Sequence, residues 1–270
     1  MATFPIYQIY VELMDYSPKM WRSFQVMSDV TMAKLAYIIM GLYEVRNYYS
    51  YEFRIDEFEN YKKKHPEYVA NPELLNGLNK TFKKLRYGIT KRKNTYTYRQ
   101  TDGYGELLDA TKEKLLNIIK APNEEFIFKY DPEINWTFKL KIEKVFTDKN
   151  LYSKDLPRVI DGAGYGIIEQ LSGVKGLAEA REKLKKRNWT NYLKNYDYFE
   201  TYDKRANRRK IRKKVDARLF LDKFDIEDMN YRLRKLPRIF KERYEQDLRP
   251  TMKQIKVIKR KYKVFRKAKK

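Results

Sequence analysis

Ile6-Tyr7-Gln8-Ile9-Tyr10-Val11-Glu12-Leu13 alternates with a period of two, placing Tyr7, Ile9, Val11 and Leu13 on one side and Gln8, Tyr10 and Glu12 on the other. Successive side chains of a strand point to opposite faces, so this run predicts a half-buried β-strand. Asp15, Tyr16, Ser17 and Pro18 supply turn chemistry, and a second strand is expected from about Met20 to Val26. A helix follows at once. Asp29 or Thr31 can cap it, and Met32, Leu35, Ile38, Ile39 and Leu42 form one stripe at helical spacing.

Outward from this opening, Tyr48 to Ile55 reads as a further strand. Tyr61 to Asn79, with His65, two prolines and the run Lys62, Lys63 and Lys64, reads as a polar surface loop. Phe82 to Tyr98 predicts a pair of short strands around the tip Thr90, Lys91, Arg92, Lys93 and Asn94. That basic tip either reaches a phosphate backbone or is simply solvated. Leu107 to Ile119 reads as a helix. Phe126 to Tyr130 and Trp136 to Val145 form a hairpin across Asp131 to Asn135, with Phe138, Leu140, Ile142 and Val145 on its apolar side. Asp161 to Gly176 holds five glycines, and helical patterning dominates beyond it. The expected fold is α+β: a mixed, mainly antiparallel sheet packed with helices, followed by a helical basic C-terminal region. The expected division is a core over 1–180 and a basic region over 181–270, with 220–234 packing back on the core.

The totals narrow the function classes. With 42% apolar residues, 24 Tyr and 14 Phe in 270 residues, the chain can fill a real core. It has no cysteine, which excludes disulfides and thiolate metal sites and fits a reducing compartment. Its start lacks the basic-then-apolar order of a signal peptide, and its longest apolar run, Leu35 to Tyr43, is too short to span a bilayer. A soluble, cytoplasmic protein with no membrane partner is expected.

Charge is distributed very unevenly. Residues 181–270 contain 33 Lys and Arg against 12 Asp and Glu, a net +21, whereas residues 1–180 contain 27 against 24, a net +3. Such a charge needs a polyanionic partner. Arg205, Arg208, Arg209, Lys210, Arg212, Lys213 and Lys214 lie among Trp189, Tyr192, Tyr196, Tyr198, Phe199 and Tyr202. Cations neutralise phosphates and flat rings stack on bases, although the same rings also suit the buried stripe of a helix pair. From Thr251 to Lys270, Ile255, Ile258, Tyr262 and Phe265 line one side of a helix, and Lys259, Arg260, Lys261 and Lys263 lie on its other sides. Nucleic acid is the partner this pattern points to.

Catalytic machinery is not legible. His65 stands alone in its lysine-rich segment, so neither a zinc site nor a Ser-His-Asp arrangement can be assembled around it. No phosphate-binding loop of the Gly-x-x-x-x-Gly-Lys-Ser/Thr type occurs, and no cofactor is expected. Asp131, Glu133, Asp161 and Glu169 are the turn carboxylates that could converge on magnesium, but turn carboxylates ordinarily cap backbone amides.

Several segments together resemble the Ri-plasmid ORF-three-like family, found on plasmids and other mobile elements, some of whose members are labelled resolvases. Leu13, Asp15, Pro18, Trp21 and Arg22 are similar to its Pro-x-x-Trp-Arg start, and Leu35 to Phe53 to its first helix and aromatic strand. Tyr130, Asp131 and Trp136 resemble its Tyr-Asp-Phe-Gly-Asp-x-Trp signature. Pro157, Gly162, Ser172 and Gly173 resemble its Pro-rich and Gly-Gly segment, and Phe224, Asp225, Asn230 and Leu233 its closing helix. Ala36 and Tyr49 stand where that pattern carries His, Ile134 replaces its second Asp, and Glu169 alone represents its Pro-Pro-Glu-Asp stretch. The basic segment around Lys183 to Lys214 and the tail after Lys235 are expected to lie outside the pattern. The resemblance implies a fold rather than a reaction.

The leading expectation is a non-catalytic nucleic-acid-binding protein, of DNA or RNA, from a plasmid, phage or other mobile element. An inhibitor or accessory subunit that binds a nucleoprotein complex is the alternative. A metal-dependent nuclease or recombinase ranks third.

Overall fold

The computed structural model describes residues 4–45, 49–70, 72–89, 103–169, 171–185, 222 and 224–239. They form an α+β fold on one eight-stranded sheet, ordered β5-β4-β3-β6-β7-β1-β2-β8. The strands are β1 (Ile6–Leu13), β2 (Trp21–Met27), β3 (Tyr51–Asp56), β4 (Lys84–Gly88), β5 (Leu107–Asp109), β6 (Glu125–Tyr130), β7 (Trp136–Phe146) and β8 (Arg158–Ala163). All neighbours are antiparallel except β4 and β5. The helices are α1 (Met32–Leu42), α2 (Glu57–Lys64), α3 (Pro72–Asn79), α4 (Leu115–Ile118), α5 (Gly173–Lys185) and α6 (Ile226–Ile239).

The opening strand pairs with β2 on one side and β7 on the other, so its alternation has a core on one face only. Tyr7, Ile9, Val11 and Leu13 are buried with Phe24 and Val26 of β2, Phe128 of β6, and Phe138, Leu140 and Ile142 of β7. Helix α1 supplies the second layer. Thr31 caps it through Oγ1, which accepts from the Lys34 amide at 3.2 Å, and Leu35, Ile38, Ile39 and Leu42 are fully buried. The expectation that Val145 shares a side with Phe138, Leu140 and Ile142 breaks strict alternation, and a β-bulge accounts for it. Gln8 pairs with Lys144 and Ile9 with Ile142, which leaves Glu143 as the extra residue and brings Val145 opposite Tyr7.

Two segments depart from their sequence reading. Tyr61 to Asn79 is largely helical, comprising the second half of α2, a 3-10 turn over Pro66–Ala70, and α3. Asp56 caps α2 by accepting from the Glu59 amide at 3.1 Å. Its acidic first turn (Glu57 and Glu59) and basic last turn (Lys62, Lys63 and Lys64) complement the helix dipole, so the charge run that resembled a loop is a helix end. Leu107 to Ile119, expected as a helix, is instead β5, a turn and the four-residue α4. The Asp109 carboxylate accepts from the Thr111 amide at 3.0 Å and its hydroxyl at 2.7 Å, an Asx turn that competes with helix. The carbonyls of Ala110 and Glu113 are also occupied, each accepting at 2.9 Å from the first-turn amides of Ala33 and Met32 in α1. Of the strand pair expected over Phe82 to Tyr98, β4 is the first member, and residues 90–98 lie outside the described residues.

Helix α6 closes the sheet edge. Asn230 accepts from the Val159 amide at 2.8 Å and donates to the Val159 carbonyl at 3.3 Å, occupying the outward backbone groups of edge strand β8. Met229, Leu233 and Leu236 are buried, and a Cβ on Gly41 of α1 would lie 2.5 Å from Leu236. Among the described residues no helix is long and apolar enough to cross a membrane. Asn230→Ala is expected to lower unfolding free energy by about 1–3 kcal/mol, the cost of stranding two buried backbone groups, read as a lower urea midpoint at unchanged slope.

Candidate nucleic-acid interface

The residues that the sequence marks for phosphate contact lie outside the described residues: Lys91, Arg92 and Lys93, then Arg205, Arg208, Arg209, Lys210, Arg212, Lys213 and Lys214, then Lys259, Arg260, Lys261 and Lys263. So does the expected helix from Thr251 to Lys270. The described residues do establish how the chain between the two large basic stretches is attached, and which polar surfaces the body presents.

Attachment depends on a buried arginine and a buried acid. Arg22 points from β2 toward the core and is fully buried. Its guanidinium donates to the carbonyls of Trp21 (2.7 Å), Ala163 (2.5 Å), Gly164 (2.7 Å) and Tyr165 (2.5 Å). The Tyr43 ring lies 5.0 Å from it and the Phe224 ring 4.9 Å. Phe224 in turn rests on Gly162, where an added Cβ would come within 2.7 Å of both the ring and the Trp21 carbonyl. One turn into α6, Arg232 forms an ion pair with Glu44, the buried residue that follows α1 and has φ 63. Desolvation pushes the Glu44 carboxyl up to about 7, against the opposing pull of Arg232.

The residues that resemble the family signature make a second cluster. Tyr130 donates through its hydroxyl to Glu169, and the Tyr49 amide donates to the Tyr130 oxygen at 3.3 Å. The Tyr49 ring stands edge-on to that of Tyr130, with centroids 6.1 Å apart. Asp131, at φ 59, accepts from the amides of Glu133 at 3.1 Å and Ile134 at 3.3 Å and so closes the β6-β7 turn. Burial pushes its carboxyl above the usual range, with those amides pulling the other way. Asp161 accepts from the Gly162 amide at 2.7 Å. Among the described residues no three His, Cys, Asp or Glu side chains are grouped to hold a metal ion. His65 packs against Tyr61, with centroids 4.5 Å apart, and its Nδ1 lies 3.1 Å from Glu67.

The sequence reading followed only the apolar side of β7 and missed the other one. Thr137, Lys139 and Lys141 alternate with Phe138, Leu140 and Ile142, and so occupy the face away from α1. On that face Lys141 is paired with Tyr10, and Lys139 with Glu12. Tyr10 and Trp21 are stacked, with centroids 5.4 Å apart and planes 27° from parallel. Farther along, Glu52 accepts from Arg54 at 2.5 Å and from Arg86 at 2.5 Å, all three being buried, and the Tyr104 ring lies 5.2 Å from the Arg54 guanidinium. The missed signal was the Lys at every second position of a strand already identified.

The family model described as plasmid pRiA4b ORF-3-like protein matches residues 5–210. Most of Lys183 to Lys214 therefore falls inside the matched region, contrary to expectation, and the helix beginning near Phe224 falls beyond it. Among solved structures, a protein of unknown function from Methanosarcina mazei Go1 is similar in fold, with 22% identity and a TM-score of 0.53 over 72% of this chain and 90% of that one. No curated protein matches.

The Glu44 carboxyl sets a pH dependence. Between the unfolded value near 4.5 and the folded value near 7, the folded state holds a proton that the unfolded state has released. Stability is therefore expected to fall as pH rises through that window, by about 3 kcal/mol at most, and to level off above it. Glu44→Gln is expected to flatten this slope in urea melts at stepped pH.

Proposed function

This chain belongs to the plasmid pRiA4b ORF-3-like family, and from that premise we propose that it is a non-catalytic nucleic-acid-binding protein whose C-terminal third supplies the phosphate contacts. The observation that carries the reading is the net +21 over residues 181–270, set against +3 over residues 1–180. A charge gradient of that size steers an extended polyanion to one part of the molecule and supplies sequence-independent affinity on arrival.

The attachment of α6 supports the reading. Phe224 on Arg22, Asn230 on Val159 and Arg232 on Glu44 hold this helix to the body, and cationic sequence adjoins it on both sides. Cations tethered to a fixed point lose less freedom on binding than cations on a wholly free chain. The turn carboxylates support a non-catalytic role, since Asp131 and Asp161 are engaged by backbone amides and Glu169 by Tyr130.

Anisotropy titrations with duplex DNA, single-stranded DNA and RNA at several salt concentrations test this. If about eight cations engage phosphates, the log-log slope on duplex DNA is expected near about −7. Reversing Arg208, Arg209 and Lys210 to Glu is expected to weaken binding uniformly across sequences, because phosphate contacts position rather than specify. Absence of binding to all three at low salt rejects the reading.

A further inference from the structure

We propose that the sheet face away from α1, at β7, β1 and β2, is a contact surface for single-stranded RNA, with a base stacked on the pair Tyr10 and Trp21 and the flanking phosphates on Lys139 and Lys141. The proposal rests on the nucleic-acid reading above and gives it a substrate class and a second site.

Most aromatic side chains of the central strands, such as Tyr7, Phe24, Phe53, Phe128 and Phe138, face the core and are buried. Tyr10 and Trp21 are half-buried on the opposite face, stacked at 5.4 Å. Flat rings held parallel on a polar face give a nucleobase a ready stacking partner, whatever its sequence. The register sets cations beside them: Lys141, Tyr10 and Ser23 form one row across β7, β1 and β2, and Lys139, Glu12 and Trp21 form the next. With strands about 5 Å apart, both lysines start within about 10 Å of the ring pair. The acids beside them are already engaged: Glu12 accepts from the Tyr10 hydroxyl at 2.8 Å and lies 3.6 Å from Lys19, Glu143 accepts from Gln8 and Ser23, and Glu125 is ion-paired with Lys63 and, at 3.0 Å, with Lys139, a surface pair that a phosphate can replace.

Charge continues the path. On the same face of β4, β3, β6 and β7, outside the buried group of Glu52, Arg54 and Arg86, the cations Lys84, Lys129, Lys139, Lys141 and Lys144 outnumber the acids Asp56, Glu125 and Glu143. A strand leaving the ring pair in that direction crosses a net positive surface. On the other side of the rings lies a band of amide, hydroxyl and guanidinium groups. Gln25 donates to Gln8 at 3.1 Å, Ser23 donates to Glu143 at 2.6 Å, and Arg158 donates to Gln25 at 2.8 Å. A ribose 2′-hydroxyl both donates and accepts, so it can join such a band where deoxyribose cannot. This favours RNA as the single strand.

The test uses the full chain and three probes: a short oligouridylate, its deoxy counterpart and a duplex DNA. Trp21→Leu, and separately Lys139→Glu with Lys141→Glu, are expected to weaken oligouridylate binding by about tenfold while leaving duplex binding unchanged. Trp21→Phe, which keeps a flat ring, is expected to retain binding close to the wild type. Circular dichroism identifies any variant that fails to fold, and Lys141→Glu alone, a change on a half-buried lysine, then carries the comparison. Unchanged RNA binding by the variants, with duplex binding intact, overturns this surface while the general reading stands. A deoxy strand bound as tightly as the RNA overturns the assignment to RNA. A wild-type protein that binds none of the probes overturns both readings.

Discussion

The Arg22 guanidinium is shut away from water between the rings of Tyr43 and Phe224, and its donors end on the carbonyls of Trp21, Ala163, Gly164 and Tyr165. Burying a charge is costly unless its donors are met, and here backbone oxygens rather than an acid meet those of the two terminal nitrogens, while Nε is buried without a hydrogen-bond partner. Three of those carbonyls, of Ala163, Gly164 and Tyr165, belong to the end of β8 and the chain leaving it, which the arginine binds to β2. Tyr43 is fixed in turn, its hydroxyl donating to the Val11 carbonyl at 2.8 Å. The end of α1, the first two strands, the chain after β8 and the start of α6 therefore meet at one cation. Gly162 and Gly164 belong to the same constraint, since a Cβ at either would press on Phe224 or Met20 at under 3 Å.

The two faces of the sheet divide the work. The inner face is apolar and is covered by α1 and α6, whose contact at Gly41 and Leu236 lets the two helices approach closely. The outer face is a lattice of paired charges, amides and two stacked rings. Glu143, the extra residue at the bulge, serves both faces: its insertion turns Val145 inward while its carboxylate accepts from Gln8 and Ser23 on the outside. A body built in this way pairs many of its charges and leaves the large unbalanced charge to the C-terminal third of the sequence. The proposed function follows that division: a nearly neutral scaffold presents a cationic chain.

How far the sequence could be read depended on where each residue's partners lie. The strands β1, β6 and β7 were legible because their alternation is local and each has one buried face. The helix α1 was legible from its cap and stripe. Tyr61 to Asn79 was misread because a helix with little buried surface carries its evidence in charge placement at its two ends, and lysines next to prolines look the same in a loop. Leu107 to Ile119 was misread for the opposite reason. Its apolar spacing suits a helix, yet its carbonyls are taken by the first amides of α1, a demand invisible from within the segment. The family motif residues were legible as positions, but their roles were not: Asp131 closes a turn and Arg22 joins four segments, and neither task shows in a pattern of letters.

By itself the sequence determined the α+β class, the apolar face of the first and central strands, and the confinement of net charge to the last third, because these depend on composition and on periods of two and 3.6 residues along the chain. Only the tertiary structure decided that Glu143 is a bulge, that α6 closes the edge of β8 through Asn230, and that Tyr10, Trp21, Lys139 and Lys141 share one surface. Those outcomes rest on strand order and register, which bring together residues more than 100 positions apart, and the free energy that selects them comes from contacts that do not exist until the sheet has formed.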